Sequence, residues 1–198
     1  MKSQPEKHFY TLIEIMTVIV IAAILFGIGI PAFTTMIQGN NMTVAIRQLS
    51  AKISAARAYA VTNRCRVALL LVETGAKEDY CYSAYRVCVV DKDKNFQEWI
   101  EEENWKTLPK GIYRDSATNT SSNSITVDGT DIGGTNSSAY PSLIFNSKGL
   151  IEGGQQVVIT LKNGRYVNGS KIPTGGTDHT LTVNPYSGKV TVEVPSGS

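Results

Sequence analysis

The sequence predicts an α+β fold in which one long N-terminal helix, apolar in its first half and amphipathic in its second, packs on an antiparallel β-sheet domain. Three observations predict it: an apolar run from Phe9 to Pro31, small and aliphatic residues at helical spacing from Met42 to Ala60, and, after Asn63, short runs of strand formers separated by turn dipeptides. The chain has 198 residues and a formal net charge of only +2. That is enough chain for one domain of ordinary size plus an appendage, and no block of like charge suggests an electrostatic tail.

Residues 1–9, MKSQPEKHF, form a short leader carrying Lys2 and Lys7 against Glu6. By the positive-inside rule this end stays in the cytoplasm and the remainder is exported. Residues 10–31 follow as the apolar half of the helix. Between Ile15 and Ile30 the only strongly polar side chain is Thr17, and a helix from Tyr10 to Ile30 rises about 30 Å, the thickness of a bilayer core. Lipid or packed neighbouring helices are the surroundings that suit such a segment. Glu14, set between Ile13 and Ile15, is the anomaly. An acidic residue costs about 2.5 to 3.5 kcal/mol at the centre of a membrane helix, less near an end, and by default marks a functional site that needs a partner. Glu14 either snorkels to the cytoplasmic interface or awaits a cation from another copy of the chain.

FYTLIEIMTVIVIAAIL, followed by Pro31, resembles the N-terminal signature of type IV pilins and type II secretion pseudopilins. In that signature a short basic leader precedes an aromatic residue, then T-L-I-E and an apolar helix. Setting Glu14 on the family's glutamate makes Tyr10 the first residue of the mature chain and puts Pro31 where pilins carry a helix-bending proline. The resemblance implies that a prepilin peptidase at the inner membrane cuts between Phe9 and Tyr10 and methylates the new amine. It further implies that this amine pairs with Glu14 of a neighbouring subunit as the helix enters a filament. Phe9 stands where the family has glycine. Glycine suits a protease site that needs close backbone approach, whereas phenylalanine demands a roomier pocket, and cleavage before Phe9 would spoil the spacing to Glu14. A secretory signal peptide is the rival reading, with Lys2 and Lys7 as its charged region, Ile15 to Phe26 as its apolar region and Gly27-Ile28-Gly29 as its cleavage site. Glu14 interrupts that apolar approach, and the helical pattern beyond Pro31 argues for one continuing helix.

Residues 32–62 are that continuation. Met42, Ala45, Ile46, Leu49, Ile53, Ala56 and Ala60 form a core-facing stripe, with Arg47, Gln48, Lys52 and Arg57 mostly between them. Gly27, Gly29, Pro31 and Gly39 weaken the connection between the two halves, and a bend or locally melted turn is expected there. In pilins such a place is a joint that lets the helix adjust during packing.

Residues 63–198 are the exported β-rich head. Cys65 to Val72 and Tyr85 to Val90 are strand-forming runs, with Thr74-Gly75 and Lys77 to Asp79 as the turn region between them. RQLSAKISAARAYAVTNRCRVALLLV is similar to the helix-to-first-strand passage of FimT-type minor pilins and H-type minor pseudopilins. Trp105-Lys106-Thr107-Leu108-Pro109-Lys110-Gly111-Ile112 resembles the W-x-x-L-P-x-G turn of the H-type subunits. Trp99 and Trp105 are expected to cover one edge of the core. Asp91, Asp93, Asn95 and Glu102 fall at positions one, three, five and twelve of a calcium loop, but Phe96 occupies the place of its glycine and Glu98 that of its apolar anchor. An exposed acidic hairpin is therefore expected, and no metal. Asp115 to Tyr140, rich in Ser, Thr, Asn, Asp and Gly, reads as a long surface excursion with one short strand at Ser124 to Val127. Strands follow at Ser142 to Phe145, Gln156 to Leu161, Thr180 to Val183 and Lys189 to Val194, with Asn163-Gly164 and Ser187-Gly188 as turn dipeptides. This closing pattern again resembles the H-type pseudopilins.

Cys65, Cys81 and Cys88 sit in an exported domain, where one bridge and one free thiol are expected. Cys81 and Cys88 would face opposite ways in one continuous strand, which favours a cross-strand pair involving Cys65, with Cys88 as its candidate partner.

No nucleophile, zinc or nucleotide motif appears, and the only histidines are His8 and His179. The chain is not expected to be an enzyme, and no cofactor is implied. From Asn63 onward 14 lysines and arginines face 15 acidic residues, so a strong nucleic-acid footprint is absent. A local patch at Arg64, Arg66 and Arg86 is expected to lie on the solvated side of the first hairpin. The resemblance thus implies a minor pilin or pseudopilin, a subunit of a type IV pilus or type II secretion pseudopilus. Its partners would be other pilin subunits, the prepilin peptidase and inner-membrane lipid before assembly. It would be a single-pass inner-membrane protein with a cytoplasmic N-terminus and a periplasmic head, then part of a fibre that can reach the cell surface. The alternatives are a pilus-associated adhesin or DNA-binding minor pilin, and an exported or membrane-anchored enzyme. The external ligand is not legible.

Overall fold

A computed structural model describes residues 11–100, 104–120 and 123–193, and the side chains of all of these except 28–39. The chain divides into two units, an arm up to Gly39 and a head from Asn40.

One helix, α1 (Leu12–Thr62), runs through both units. It continues as helix through Gly27, Gly29, Pro31 and Gly39, so the melted turn expected there does not form; helical neighbours on both sides tolerate the donor that proline lacks. The helix stops because Arg64 adopts a left-handed conformation, φ 51°. The Cys65 N–H then reaches back to the Ala60 carbonyl at 3.2 Å, the backbone closure of a Schellman end in which glycine is the usual residue.

The head carries β1 (Arg66–Leu71), β2 (Ala84–Val90), β3 (Phe96–Trp99), β4 (Lys106–Thr107), β5 (Ile112–Ala117), β6 (Ile125–Val127), a 3-10 turn (Thr130–Ile132), β7 (Ser138–Tyr140), β8 (Ser142–Phe145), β9 (Val157–Val167), β10 (Ser170–Pro173), β11 (His179–Val183) and β12 (Val190–Glu193). A first antiparallel sheet has the order β3-β2-β1-β8, with β4 also on β2; a second has the order β10-β9-β11-β12, with β5 also on β9; β6 and β7 form a small pair. This is the α+β architecture expected from the sequence, a helix on antiparallel sheets.

Two apolar layers explain the strand sequences. Met42, Ala45, Leu49, Ile53, Ala56 and Ala60 of α1 pack on Val67, Leu69 and Val87 of the first sheet and on Ile159, Leu161 and Leu181 of the second. Ala68, Leu70, Cys88 and Ile144 point out of the opposite face of the first sheet, where Trp105, Ile125, Val127, Ile132 and Tyr140 cover them. A strand buried on both faces reads as a continuous apolar run instead of an alternating one, which is why β1 has the sequence RVALLL.

That second layer corrects one expectation. Asp115 to Tyr140 is not a surface excursion throughout: Ile125, Val127, Ile132 and Tyr140 are all buried as the lid of the first sheet. Sparse apolar residues among Ser, Thr and Gly are enough because each lands on a sheet face already formed by others. A second correction concerns Asn163-Gly164, which lies inside β9 and is not a turn. Gly164 (φ 147°) is there because a side chain would strike Tyr113 and Pro173 at under 3 Å. The turn falls at Asn168-Gly169, φ 50° and 78°, the two left-handed residues of a type I′ hairpin. Ser187-Gly188 does form the turn between β11 and β12, where the Gly188 N–H donates to the Asn184 carbonyl at 2.8 Å.

Candidate functional site

The arm begins with a cap. The Glu14 N–H donates to Thr11 Oγ1 at 3.3 Å and to the Thr11 carbonyl at 3.1 Å, so Thr11 satisfies one of the donors a helix start leaves open. Glu14 thereby stands in the first turn, where a carboxylate is favoured by the positive end of the helix dipole. It is exposed, and the ion pairs found among the described residues all lie in the head. Phe9 and Tyr10 lie outside the described residues, as does the Pro31 side chain.

From Leu12 to Phe26 every large apolar side chain is at least 48% exposed, and they point to all sides of the helix. Thr17 adds no unpaired polar group, because its hydroxyl donates to the Ile13 carbonyl at 2.8 Å. Full burial of each such aliphatic or aromatic side chain is worth about 1.5–3 kcal/mol, so the surface is costly in water. A helix apolar all round belongs in a core, a bundle or a membrane. Among the described residues no helix is long and apolar enough to cross a membrane; the described side chains of this run end at Gly27.

The head does not form the anticipated disulfide. Cys65, Cys81 and Cys88 are free thiols. Cys88 pairs in register with Ala68 and lies in the layer beneath Trp105 and Tyr140, whereas Cys65 packs against the layer under α1. The two sulfurs are on opposite faces of one sheet, an arrangement no rotamer bridges. Burial pushes the Cys88 thiol up to about 12. It behaves there as a small apolar side chain.

The three arginines do not gather into one patch. Arg86 faces the buried second layer, not solvent: its guanidinium stacks 3.7 Å from the Trp99 ring centre and pairs with Asp131 at 3.5 Å. Arg66 pairs with Glu152 at 3.6 Å. Arg64 is exposed at the helix end. The Asp91 region is the expected hairpin turn between β2 and β3. The Asp91 carboxylate accepts the Asp93 and Asn95 N–H groups, each at 2.8 Å, and the Asn95 backbone bond foremost holds its pKa below the usual carboxylate range. Glu102 lies outside the described residues.

Arg114 was not legible as special in the sequence. Its side chain is only 4% exposed, pairs with Glu73 at 3.3 Å and donates to the Val72 carbonyl at 3.0 Å. Burial lowers its pKa, opposed by the Glu73 charge. This pair ties β5 of the second sheet to the end of β1 in the first. Beside it, Lys171 lies 4.0 Å from the Tyr82 ring centre, and Lys162 bridges Asp115 at 3.1 Å and Asp178 at 3.3 Å. These are contacts between structural elements; His179 Nδ1 lies 3.0 Å from the Thr177 carbonyl oxygen. Among the described residues no group of His, Cys, Asp and Glu could hold a metal ion.

No curated protein matches the chain in sequence. Solved structures of similar shape include the minor pseudopilin EpsH from the type 2 secretion system of Vibrio cholerae, at 12% identity and TM-score 0.48 over 78% of this chain and 98% of that one. A second EpsH structure matches at 15% identity and TM-score 0.44 over 80% and 97%. The type IV minor pilin FimU of Pseudomonas aeruginosa matches at 10% identity and TM-score 0.46 over 79% and 90%. The family model described as type II transport protein GspH matches residues 45–188, from near the start of the head's part of α1 to the turn of the last hairpin. With most of its length accounted for by that model, the chain belongs to the GspH family.

Proposed function

We propose that this chain is a structural minor pilin or pseudopilin subunit, assembled into a fibre through its N-terminal helix. The observation that carries the reading is the pairing of a GspH-family head with an arm whose apolar side chains are exposed on every side. Such an arm is stored in inner-membrane lipid, with the leader in the cytoplasm and the head in the periplasm, and then transferred to a bundle of like helices. Both environments remove the same surface from water, so the transfer costs little hydrophobic energy. Glu14 supplies the direction. In the fibre it faces the amine that cleavage between Phe9 and Tyr10 frees on an adjoining protomer, and Pro31 is the bend that adjusts the helix to its neighbours.

Removing one partner from a buried ion pair costs about 3–5 kcal/mol. Glu14→Ala in the full chain is therefore expected to insert in the membrane at the normal level yet fall at least a hundredfold in sheared fibres, measured by quantitative immunoblot. Edman sequencing of the assembled protein is expected to begin at N-methylated Tyr10. Undiminished incorporation of Glu14→Ala, or an intact Met1 in the fibre, would overturn the reading.

A further inference from the structure

β9 runs on past the strand that covers one of its sides. On one side it pairs with β11 as far as Leu161 and with β10 from Gly164 to Val167. On the other side β5 covers it only up to Asn163, which lies opposite Ile112. The last backbone bond on that second side runs from the Gly164 N–H to the Gly111 carbonyl at 2.8 Å, and the chain before Ile112 turns away, with the Ile112 N–H closing on the Pro109 carbonyl at 3.1 Å. Along an antiparallel strand successive residues direct their N–H and C=O groups to opposite sides. Asn163 directs its carbonyl to the β10 side, where it accepts the Thr174 N–H at 3.0 Å, and Gly164 directs its N–H to the β5 side. Asn168 also faces the β5 side, since its N–H donates to Glu78 Oε1 at 2.8 Å. Tyr166, two residues from each, therefore offers both its N–H and its C=O to that side, where among the described residues no strand lies opposite.

The space beside this edge is a cavity of about 510 Å³, walled by β9, by the turn at residues 78–83 and by the turn at residues 107–111. Tyr80, Tyr113 and Tyr166 line it and present apolar ring faces against which the side chains of an extended segment can pack. The charges that line it are sorted by sign. Lys110 and Arg165 stand beside the bond between Gly111 and Gly164, at the end where β5 begins. Glu78, with Asp79 next to it in the chain, stands at the end marked by Asn168. All four are exposed, and among the described residues none of them is in an ion pair. An extended segment placed in line with β5, and so antiparallel to β9, directs its C-terminal end at the two cations and its N-terminal end at the two carboxylates.

We propose that this slot binds the free C-terminus of another polypeptide as an added β-strand. The N–H and C=O of Tyr166 hold the main chain of the added strand. Lys110 and Arg165 receive its carboxylate, and Glu78 and Asp79 take a basic side chain three residues upstream. A strand added to an exposed sheet edge draws its affinity from main-chain bonds and its specificity from the side chains around it. The slot is built from the head alone, so the inference goes beyond the reading of the chain as a fibre subunit and does not depend on it.

The probe is a tetrapeptide of one lysine and three strand-forming residues, Lys-Thr-Val-Ile, with a free carboxylate and a fluorophore joined to its N-terminus through a Gly-Gly spacer. Titrated with the full-length protein in lipid nanodiscs, its fluorescence anisotropy is expected to rise to saturation. In the register set by β5 its valine lies opposite Tyr166. The peptide Lys-Thr-Pro-Ile, which lacks that N–H, is expected to bind about tenfold more weakly. Amidating the carboxylate is expected to weaken binding about fivefold. Lys110→Glu combined with Arg165→Glu should reverse this order, so that the amidated peptide binds better, a result that misfolding cannot produce. Glu78→Gln, which keeps an acceptor for the Asn168 N–H, should reduce the advantage of lysine over norleucine at the first position. Absence of saturable binding would overturn the proposal, as would equal binding of the proline peptide or of the amidated one.

Discussion

Arg57 occupies a position that the helical pattern assigns to the polar face, yet it is a closing piece of the head. Its Nε donates to the Gly149 carbonyl at 3.0 Å, and its side chain fills the space beside Gly188, where an added Cβ would lie 2.7 Å from Nε. Gly188 also has φ +61°. An alanine there meets two separable penalties, the left-handed backbone at about 1–2 kcal/mol and the collision with Arg57. Gly188→Ala is expected to cost about 2–3 kcal/mol, measured by urea unfolding followed through Trp99 and Trp105 fluorescence. In an Arg57→Ala background the collision is gone and the cost should fall to the backbone part alone. Strictly additive effects in that double-mutant cycle would show that the two residues do not touch.

At the level of elements, the β2–β3 hairpin is held by a turn whose acceptor is ionised. The Asp91 pKa lies below its ordinary 3.8, chiefly through the Asn95 backbone N–H. A carboxylate with a depressed folded pKa contributes its stabilisation in full above the ordinary value and loses it as pH falls through the depressed one. The amide resonances of Asp93 and Asn95 should therefore shift with a midpoint below pH 3.8, and Asp91→Asn, which keeps an acceptor oxygen, should abolish the titration; a midpoint at or above 3.8 would contradict the hydrogen-bonded turn. This hairpin was legible in the sequence because its signal is local, as were α1 and the stripe from Met42 to Ala60. The misplaced elements depend on distant partners. Asn163-Gly164 and Asn168-Gly169 are equally good turn dipeptides, and only the pairing of β9 with β5 and β10 decides between them. Arg86 and Arg114 look like surface cations until strand register turns one into the layer under Tyr140 and the other beneath Glu73.

For the molecule as a whole, the chain divides into its two units close to Gly39. Among the described residues every buried apolar side chain lies at or beyond Met42, while the large apolar side chains before Gly27 are exposed. The head therefore needs the second half of α1. Met42, Leu49 and Ile53 alone, at about 1.5–3 kcal/mol each when fully buried, contribute an amount comparable with the roughly 5–15 kcal/mol by which a domain is stable. A chain shortened to begin at Asn40 is expected to unfold in urea as a single cooperative transition, with the near-ultraviolet circular dichroism of packed tryptophans. One shortened to begin at Asn63 loses the whole helical side of the layer over Leu69, Val87 and Leu181, and it should show neither the tertiary signal nor a sigmoidal transition. Cooperative unfolding of the shorter chain would mean that the sheets close on each other without the helix, and that α1 is an attachment to the head instead of part of its core.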